Sequence, residues 1–233
     1  MVEISVIIPT YNEEKYIENT LKAFKNQTFK DFELIVADYK SKDKTIEIAK
    51  KYAKVVTTNI KGISAGRNVG ASKANGRIFV FIDADTVPSP NTLEAYHDAF
   101  KNKKIIMATC PIAPLGDNKI FTKMGYFLVS VVFVKLLIHT PFTFMIGSNF
   151  VIRKDAFNKL NGFDPKVKTC EDLDLAKRAR KIGKAKFVNN TKVYSHTRRV
   201  EKWGMLHYAI YHTNNYFRYY LHRKIKEDYE NIR

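Results

Sequence analysis

The chain has 233 residues, 45% of them apolar, and 40 Lys and Arg against 23 Asp and Glu give a formal net charge of +17. That length suits one large α/β domain or two small lobes with a real core, and the charge calls for an anionic partner: a nucleotide, a lipid phosphate, a membrane surface or nucleic acid. The two cysteines, Cys110 and Cys170, lie far apart without ligand spacing, which excludes a disulfide framework or a zinc site and fits a reducing, cytoplasmic compartment.

Met1 leads straight into strand-like Ile4-Ser5-Val6-Ile7-Ile8, with no signal-peptide pattern. This strand ends at Pro9, and Asn12 is placed to cap a helix that opens with Glu13 and Glu14 and carries Ile17, Leu21 and Phe24 on one face. Residues 32–37 form a second strand ending at Asp38. Ser41 or Asp43 caps a second helix, and residues 55–57 form a short third strand. A helix over residues 64–75 closes at Gly76, with Gly66 and Gly70 allowing close backbone packing. The near-continuous apolar run 77–82 is a buried fourth strand. Ser89-Pro90 starts another helix, and residues 105–109 make a fifth strand. Repeated βα units of this kind predict a doubly wound, mostly parallel sheet with ligands at the carboxyl ends of the strands.

The second half is less regular. Residues 121–138 are hydrophobic but carry Lys123, Gly125 and Lys135, which suits a buried helix better than a membrane span, with an interfacial helix as the alternative. Strands are expected over 144–152, 186–188 and 193–196, a helix over 171–181, and a final aromatic helix over 203–220. Trp203, Leu206, Ile210, Phe217 and Leu221 recur near helical spacing. They predict either an amphipathic helix docked on the rest of the domain or an interfacial helix with Arg218, Arg223, Lys224 and Lys226 near anionic headgroups.

Asp83-Ala84-Asp85 follows the fourth strand directly. Residues i and i+2 of a strand share a face, so the two carboxylates are expected to emerge together where the sheet ends. That pair suits a hard divalent cation held with the phosphates of a substrate, although an isolated motif of this kind equally marks a solvated turn.

Four blocks in order together resemble the family 2 glycosyltransferases of GT-A fold. They are Val6-Ile7-Ile8-Pro9-Thr10-Tyr11-Asn12-Glu13-Glu14; Glu33-Leu34-Ile35-Val36-Ala37-Asp38 with Ser41, Asp43 and Thr45; Gly62 through Ala65-Gly66-Arg67-Asn68-Val69-Gly70 to Asp83-Ala84-Asp85; and Gly147-Ser148-Asn149, Gly162-Phe163-Asp164 and Glu171-Asp172-Leu173-Asp174-Leu175. The resemblance implies a metal-dependent, inverting transfer of a sugar from a UDP- or GDP-sugar to a hydroxyl acceptor, a glycan or a lipid-linked one. It implies Mn²⁺ or Mg²⁺ on Asp85, with Asp83 nearer the ribose or behind the ligand shell. Asp38 matches the position that usually contacts the nucleobase, while Pro9, Thr10, Tyr11 and Glu13 line the nucleotide cleft. Relatives often carry Asp-Asp-Gly-Ser where this chain has Asp38-Tyr39-Lys40-Ser41, so an acidic, flexible turn becomes basic and bulkier.

In inverting relatives the Asp of the pair matching Glu171-Asp172 is the general base for the acceptor hydroxyl. The residues alone also read as a helix cap. His196 has two readings, an additional metal ligand or a surface histidine beside Arg198-Arg199. Arg67 either pairs with phosphate or anchors the loop before the fourth strand. On this reading residues 1–115 form the nucleotide-sugar half of one GT-A domain, 116–200 its acceptor and catalytic-base half, and 201–233 a basic helical extension able to touch an anionic membrane. Two rivals stand beside it. A sugar-phosphate nucleotidyltransferase would want a glycine-rich Arg- and Lys-bearing loop after the first strand, which is absent, and a nucleic-acid module fits the charge but shows no recognised motif.

Overall fold

In a computed structural model, which describes residues 2–116 and 119–222, a seven-stranded sheet runs in the order β3-β2-β1-β4-β8-β6-β9. At its centre β1 (Ile4–Thr10) pairs in parallel with β2 (Phe32–Asp38) on one side and β4 (Ile78–Ile82) on the other. Every residue of β4 is buried, as expected of a strand covered on both faces. The alternation of side chains divides the core. Ile4, Val6 and Ile8 enter the cluster that includes Leu21 and Phe24 of α1 (Ile17–Lys25) and Leu93 and Tyr96 of α4 (Thr92–Phe100). Ile7 enters the opposite cluster with Phe79, Phe81, Phe150 and Phe163.

The helices α2 (Thr45–Lys50) and α3 (Ile63–Ser72) connect the first strands through β3 (Lys54–Thr57), which extends the sheet in parallel with β2. α3 comes unusually close to β1: a Cβ on Gly70 would lie 2.4 Å from Ile7 Cγ2, and one on Gly66 3.2 Å from Pro9 Cβ. Beyond β4 the sheet changes direction. β8 (Asn149–Arg153) runs antiparallel to both β4 and β6 (Ile105–Thr109), and β9 (Lys184–Phe187) closes the edge in parallel with β6. A small second sheet sets β10 (Val193–His196) between β5 (Thr86–Pro88) and β7 (Ile112–Leu115). β5 and β7 were not expected from sequence; they are three and four residues long and include Pro88 and Pro114, so no alternating run announces them.

Several boundaries differ from the sequence reading for local physical reasons. Asn12 is not a helix cap: it takes φ 52, donates its N–H to Ser41 Oγ, and α1 starts only at Ile17. α4 begins after Pro90 because buried Gln27 holds its start, accepting from Leu93 N and donating to Ser89 O. The expected last helix corresponds to α10 (Met205–His222), and a short α9 (Arg198–Trp203) that was not expected precedes it, set apart by Gly204, whose φ of 78 leaves the helical region. Residues 223–233, where Arg223, Lys224 and Lys226 lie, fall outside the described residues.

The apolar segment of the second half is also a correction. α5 (Ile120–Phe127), a π-helical stretch (Leu128–Phe133) and α6 (Val134–Leu137) form one rod, but 17% of it is buried, so it is no core helix. α10 docks on the domain through Asn215 and Tyr219, while Leu206, Ile210, Phe217 and Leu221 stay exposed, so of the two expectations for that apolar stripe the docked one is not met.

Candidate active site

The carboxyl ends of β1 and β2 build the first wall. Their parallel register sets Thr10 beside Asp38, and Thr10 Oγ1 donates to Asp38 Oδ2 at 2.9 Å. Ser41 donates to the same carboxylate twice, from N to Oδ1 at 2.8 Å and from Oγ to Oδ2 at 2.5 Å. Asp38 is fully buried, so the proposed base-contacting residue is committed here to shaping the turn that follows it. Within that turn Lys40 takes φ 48, a left-handed conformation suited to the glycine that relatives often carry. The rings of Tyr11 and Tyr39 meet edge to face at 5.2 Å beside half-buried Pro9.

The carboxylates after β4 do not emerge as a strand pair. β4 ends at Ile82, Thr86 N donates to Asp83 O across a turn, and Thr20 of α1 donates to the Ala84 carbonyl at 2.8 Å. The same-face expectation fails because the motif is a turn, and its two side chains meet different cations. Asp83 pairs with Arg67 at 3.0 Å, and Asp85 pairs with Arg198 at 2.9 Å. Burial raises the Asp85 carboxyl above its ordinary range, against the pull of Arg198. Arg198 also grips both oxygens of Glu13, at 2.9 and 3.2 Å, so that Glu13 and Asp85 share one guanidinium.

Arg67 is a buried strut. Its guanidinium donates to Asp83, to Glu171 Oε1 at 2.8 Å and to the Gly147 carbonyl at 2.7 Å. A side chain so enclosed anchors protein groups; of the two sequence readings, the anchor is the one this geometry matches. Glu171 and Asp172 open α8 (Glu171–Ala179), behind Cys170 in the left-handed region at φ 64. Acidic side chains favour a helix N-terminus, and Glu171 and Asp172 lie in the first turn of α8, although its N-cap residue is Cys170 and no side chain caps it by a hydrogen bond. Asp172 also stands beside the cluster: a Cβ on Gly147 would lie 2.9 Å from its Oδ2, so the glycine makes room for this carboxylate. Burial and the neighbouring Glu171 push the Asp172 pKa up to about 7, while Glu171, nearest to Arg67, is raised mainly by burial. A carboxyl poised near neutrality is suited to taking a proton.

His196 lies at the end of β10, where its N–H donates to the Asp85 carbonyl at 3.2 Å, but its ring packs on Tyr16 with centroids 4.5 Å apart. Among the described residues no three His, Cys, Asp or Glu side chains gather into a cation-binding group, so His196 does not complete a set with Asp83 and Asp85 here. Asp83 and Asp85 still offer hard oxygen donors just past the carboxyl end of β4, with the Asp83 side chain about 30% exposed, which fits a cation that takes its remaining ligands from a bound phosphate group. Sequence reasoning missed the parts played by Gly147 and Arg198. Gly147 was visible only as a motif glycine, and Arg198 only as one of a basic pair that could hold a diphosphate, with no sign of its pairing with Glu13 and Asp85.

Residues 5–160 match the sequence model of Glycosyl transferase family 2. The poly(ribitol-phosphate) beta-N-acetylglucosaminyltransferase TarS of Staphylococcus aureus is 37% identical over 103 residues, which cover 40% of this chain and 18% of that protein. The minor teichoic acid biosynthesis protein GgaB of Bacillus subtilis is 32% identical over 192 residues, covering 74% of this chain and 20% of that one. The chain therefore spans about a fifth of the length of these relatives. Its fold superposes on the crystal structure of S. aureus TarS 1–349 in complex with UDP with a TM-score of 0.66 at 22% identity, covering 87% of this chain and 63% of that one. The mannosyltransferase PcManGT from Pyrobaculum calidifontis, in complex with GDP-Man and Mn²⁺, gives 0.64 at 20% identity, covering 83% and 56%. The expected α/β fold of GT-A type is borne out, and on the extent of the sequence match this chain belongs to glycosyltransferase family 2.

Proposed function

We propose that the protein transfers a sugar from a UDP- or GDP-sugar to a hydroxyl acceptor in a single inverting displacement, with Asp172 as general base. The observation that carries this reading is the placement of Asp172 at the start of α8 and against Gly147, beside an Arg67-linked cluster that also fixes Asp83. Asp172 accepts the proton of the acceptor hydroxyl, whose oxygen attacks the anomeric carbon as the bond to the diphosphate breaks. Glu171 and Arg67 hold Asp172 and the β4 turn in register and touch no substrate on this reading. On this reading Thr10, Tyr11 and the Asp38 turn form the base side of the site, and the Arg198 guanidinium pairs with the diphosphate. A divalent cation, Mn²⁺ or Mg²⁺, held through Asp85 with Asp83 beside it, would neutralise charge on the leaving group. UDP bound to TarS and GDP-Man with Mn²⁺ bound to PcManGT support the donor class and the metal. The acceptor is a glycan or a lipid-linked hydroxyl.

Thermal melting with UDP, GDP and their sugars, with and without Mn²⁺, tests the donor half. A preferred nucleotide raises the melting temperature only with metal, by mass action, and Asp85→Ala folds normally but loses that rise. A variant that keeps the full metal-dependent shift refutes the assignment of Asp85.

A further inference from the structure

The rod from Ile120 to Leu137 and helix α10 lie side by side on the outside of the domain. Near their starts a Cβ on Gly125 would meet Met205 Sδ at 2.8 Å. In the segment that follows the rod, Phe142 O accepts from Tyr216 Oη, Thr143 O accepts from Tyr220 Oη, and the rings of Phe142 and Tyr220 meet at 5.4 Å. Each helix is docked by a narrow stripe and apolar on its open side. On the rod, Thr122, Ser130 and Val134 are buried, whereas Phe121, Phe127 and Leu136 are exposed by 76, 58 and 65%. On α10 the exposed Leu206, Ile210, Phe217 and Leu221 fall within one side at the helical repeat, opposite the docked Asn215 and Tyr219. Isolated exposed apolar side chains are ordinary; two adjoining helices that both turn their apolar sides outward are not.

Charge selects the partner. Neither helix contains an acidic residue, although the chain as a whole has 23, and exposed Lys123, Lys135 and Arg218 stand among the apolar side chains. Together with the net charge of +17, this is complementary to an anionic surface. We propose that this two-helix face seats the protein flat on an anionic lipid bilayer, with the exposed Phe and Leu side chains at the headgroup boundary and the lysines among lipid phosphates. The rod is long and apolar enough to cross a membrane by length, yet crossing would strip Val134 from the core, break the bond from Ser130 Oγ to the Ile112 carbonyl, and place Lys123 and Lys135 at depth. Lying flat keeps those contacts. Tyr219 Oη, on the docked side of α10, donates to Asp174 Oδ1 of α8 at 3.0 Å, so the seated face adjoins the helix that carries Asp172. The proposal stands on the surface alone and does not depend on the transfer reading.

Co-sedimentation of the full chain with phosphatidylcholine vesicles and with phosphatidylcholine–phosphatidylglycerol vesicles tests it, with light scattering on the same samples. The protein should bind the anionic vesicles at low salt, release as salt rises, and ignore phosphatidylcholine alone. Phe121→Ser combined with Leu206→Ser and Phe217→Ser should weaken binding tenfold or more, and Lys123→Glu with Lys135→Glu by roughly tenfold or more. Both variants should keep the melting temperature and nucleotide response of the parent, because all five positions are exposed and outside the cleft. Absence of binding to anionic vesicles at low salt overturns the proposal. So do serine variants that bind like the parent, or a parent dimer that ignores vesicles and becomes monomeric in the serine variant. Vesicle binding without any nucleotide-dependent melting shift sinks the transfer reading and leaves this one standing.

Discussion

Arg67 carries a positive charge in the interior, where an unpaired ion is costly, and its cost is offset by Asp83, Glu171 and the Gly147 carbonyl gathered around one guanidinium. For Asp172, burial and the neighbouring Glu171 outweigh the downward pull of Arg67, so its pKa is pushed up to about 7. In the unfolded chain an aspartate loses its proton near pH 4. The folded state therefore binds the proton more tightly, so the stability this gives is present at acid pH and lost as pH rises through about 7. Asp172→Asn should remove that loss: its melting temperature should exceed the parent's at pH 8 and converge with it near pH 4. Its turnover should fall by roughly 10²-fold or more while metal-dependent nucleotide binding persists. The parent's turnover should decline as pH drops below about 7. A variant with near-parental turnover reduces Asp172 to an acidic residue in the first turn of α8. At this scale the acidic residues were legible in the sequence, since carboxylates at strand and helix ends are conspicuous. Their cationic partners were not, because Arg67 and Glu171 are 104 residues apart in the chain.

Among the elements, the central strands were the most legible. β1, β2, β4 and β6 are near-continuous apolar runs, and the predicted fifth strand matches β6 to the residue. What failed were starts and stops governed by distant side chains, such as Gln27 at the start of α4 and Ser41 against Asn12. The outward apolar rod failed for a different reason: hydrophobicity marks a segment that avoids water without saying which surface it will meet. The close approach of α3 to β1 was anticipated at Gly66 and Gly70, and it yields a quantitative test. Gly70→Ala would drive a methyl group to 2.4 Å from Ile7 Cγ2. Such overpacking costs about 1–3 kcal/mol. Chemical denaturation should show that loss, accompanied by weaker nucleotide binding, since α3 also carries Arg67. An unchanged unfolding midpoint would mean that α3 can slide without penalty.

For the molecule as a whole, the sheet and the cleft differ in how they are tied down. Strands β1 and β4 are buried at the centre, whereas α9 and α10 rest at the periphery through a few side chains. Local opening follows the density of buried contacts. Hydrogen exchange should therefore release amides of α9 and α10 well before those of β1 and β4, and nucleotide with Mn²⁺ should slow the early group most. Equal protection across these elements would contradict that ranking.

The bond between Arg198 and Glu13 joins residues 185 apart in the chain, which has a consequence for biosynthesis. A polypeptide leaves the ribosome N-terminus first. Asp83 and Asp85 emerge while Arg198 is still unmade, so a growing chain displays these acidic groups without the guanidinium that later neutralises Asp85. Closing so long a loop costs little more entropy than closing a shorter one, because the penalty grows only with the logarithm of length. The delay is thus one of synthesis order rather than of energy: a nascent fragment ending before residue 198 holds Glu13 and Asp85 without the arginine that pairs with both.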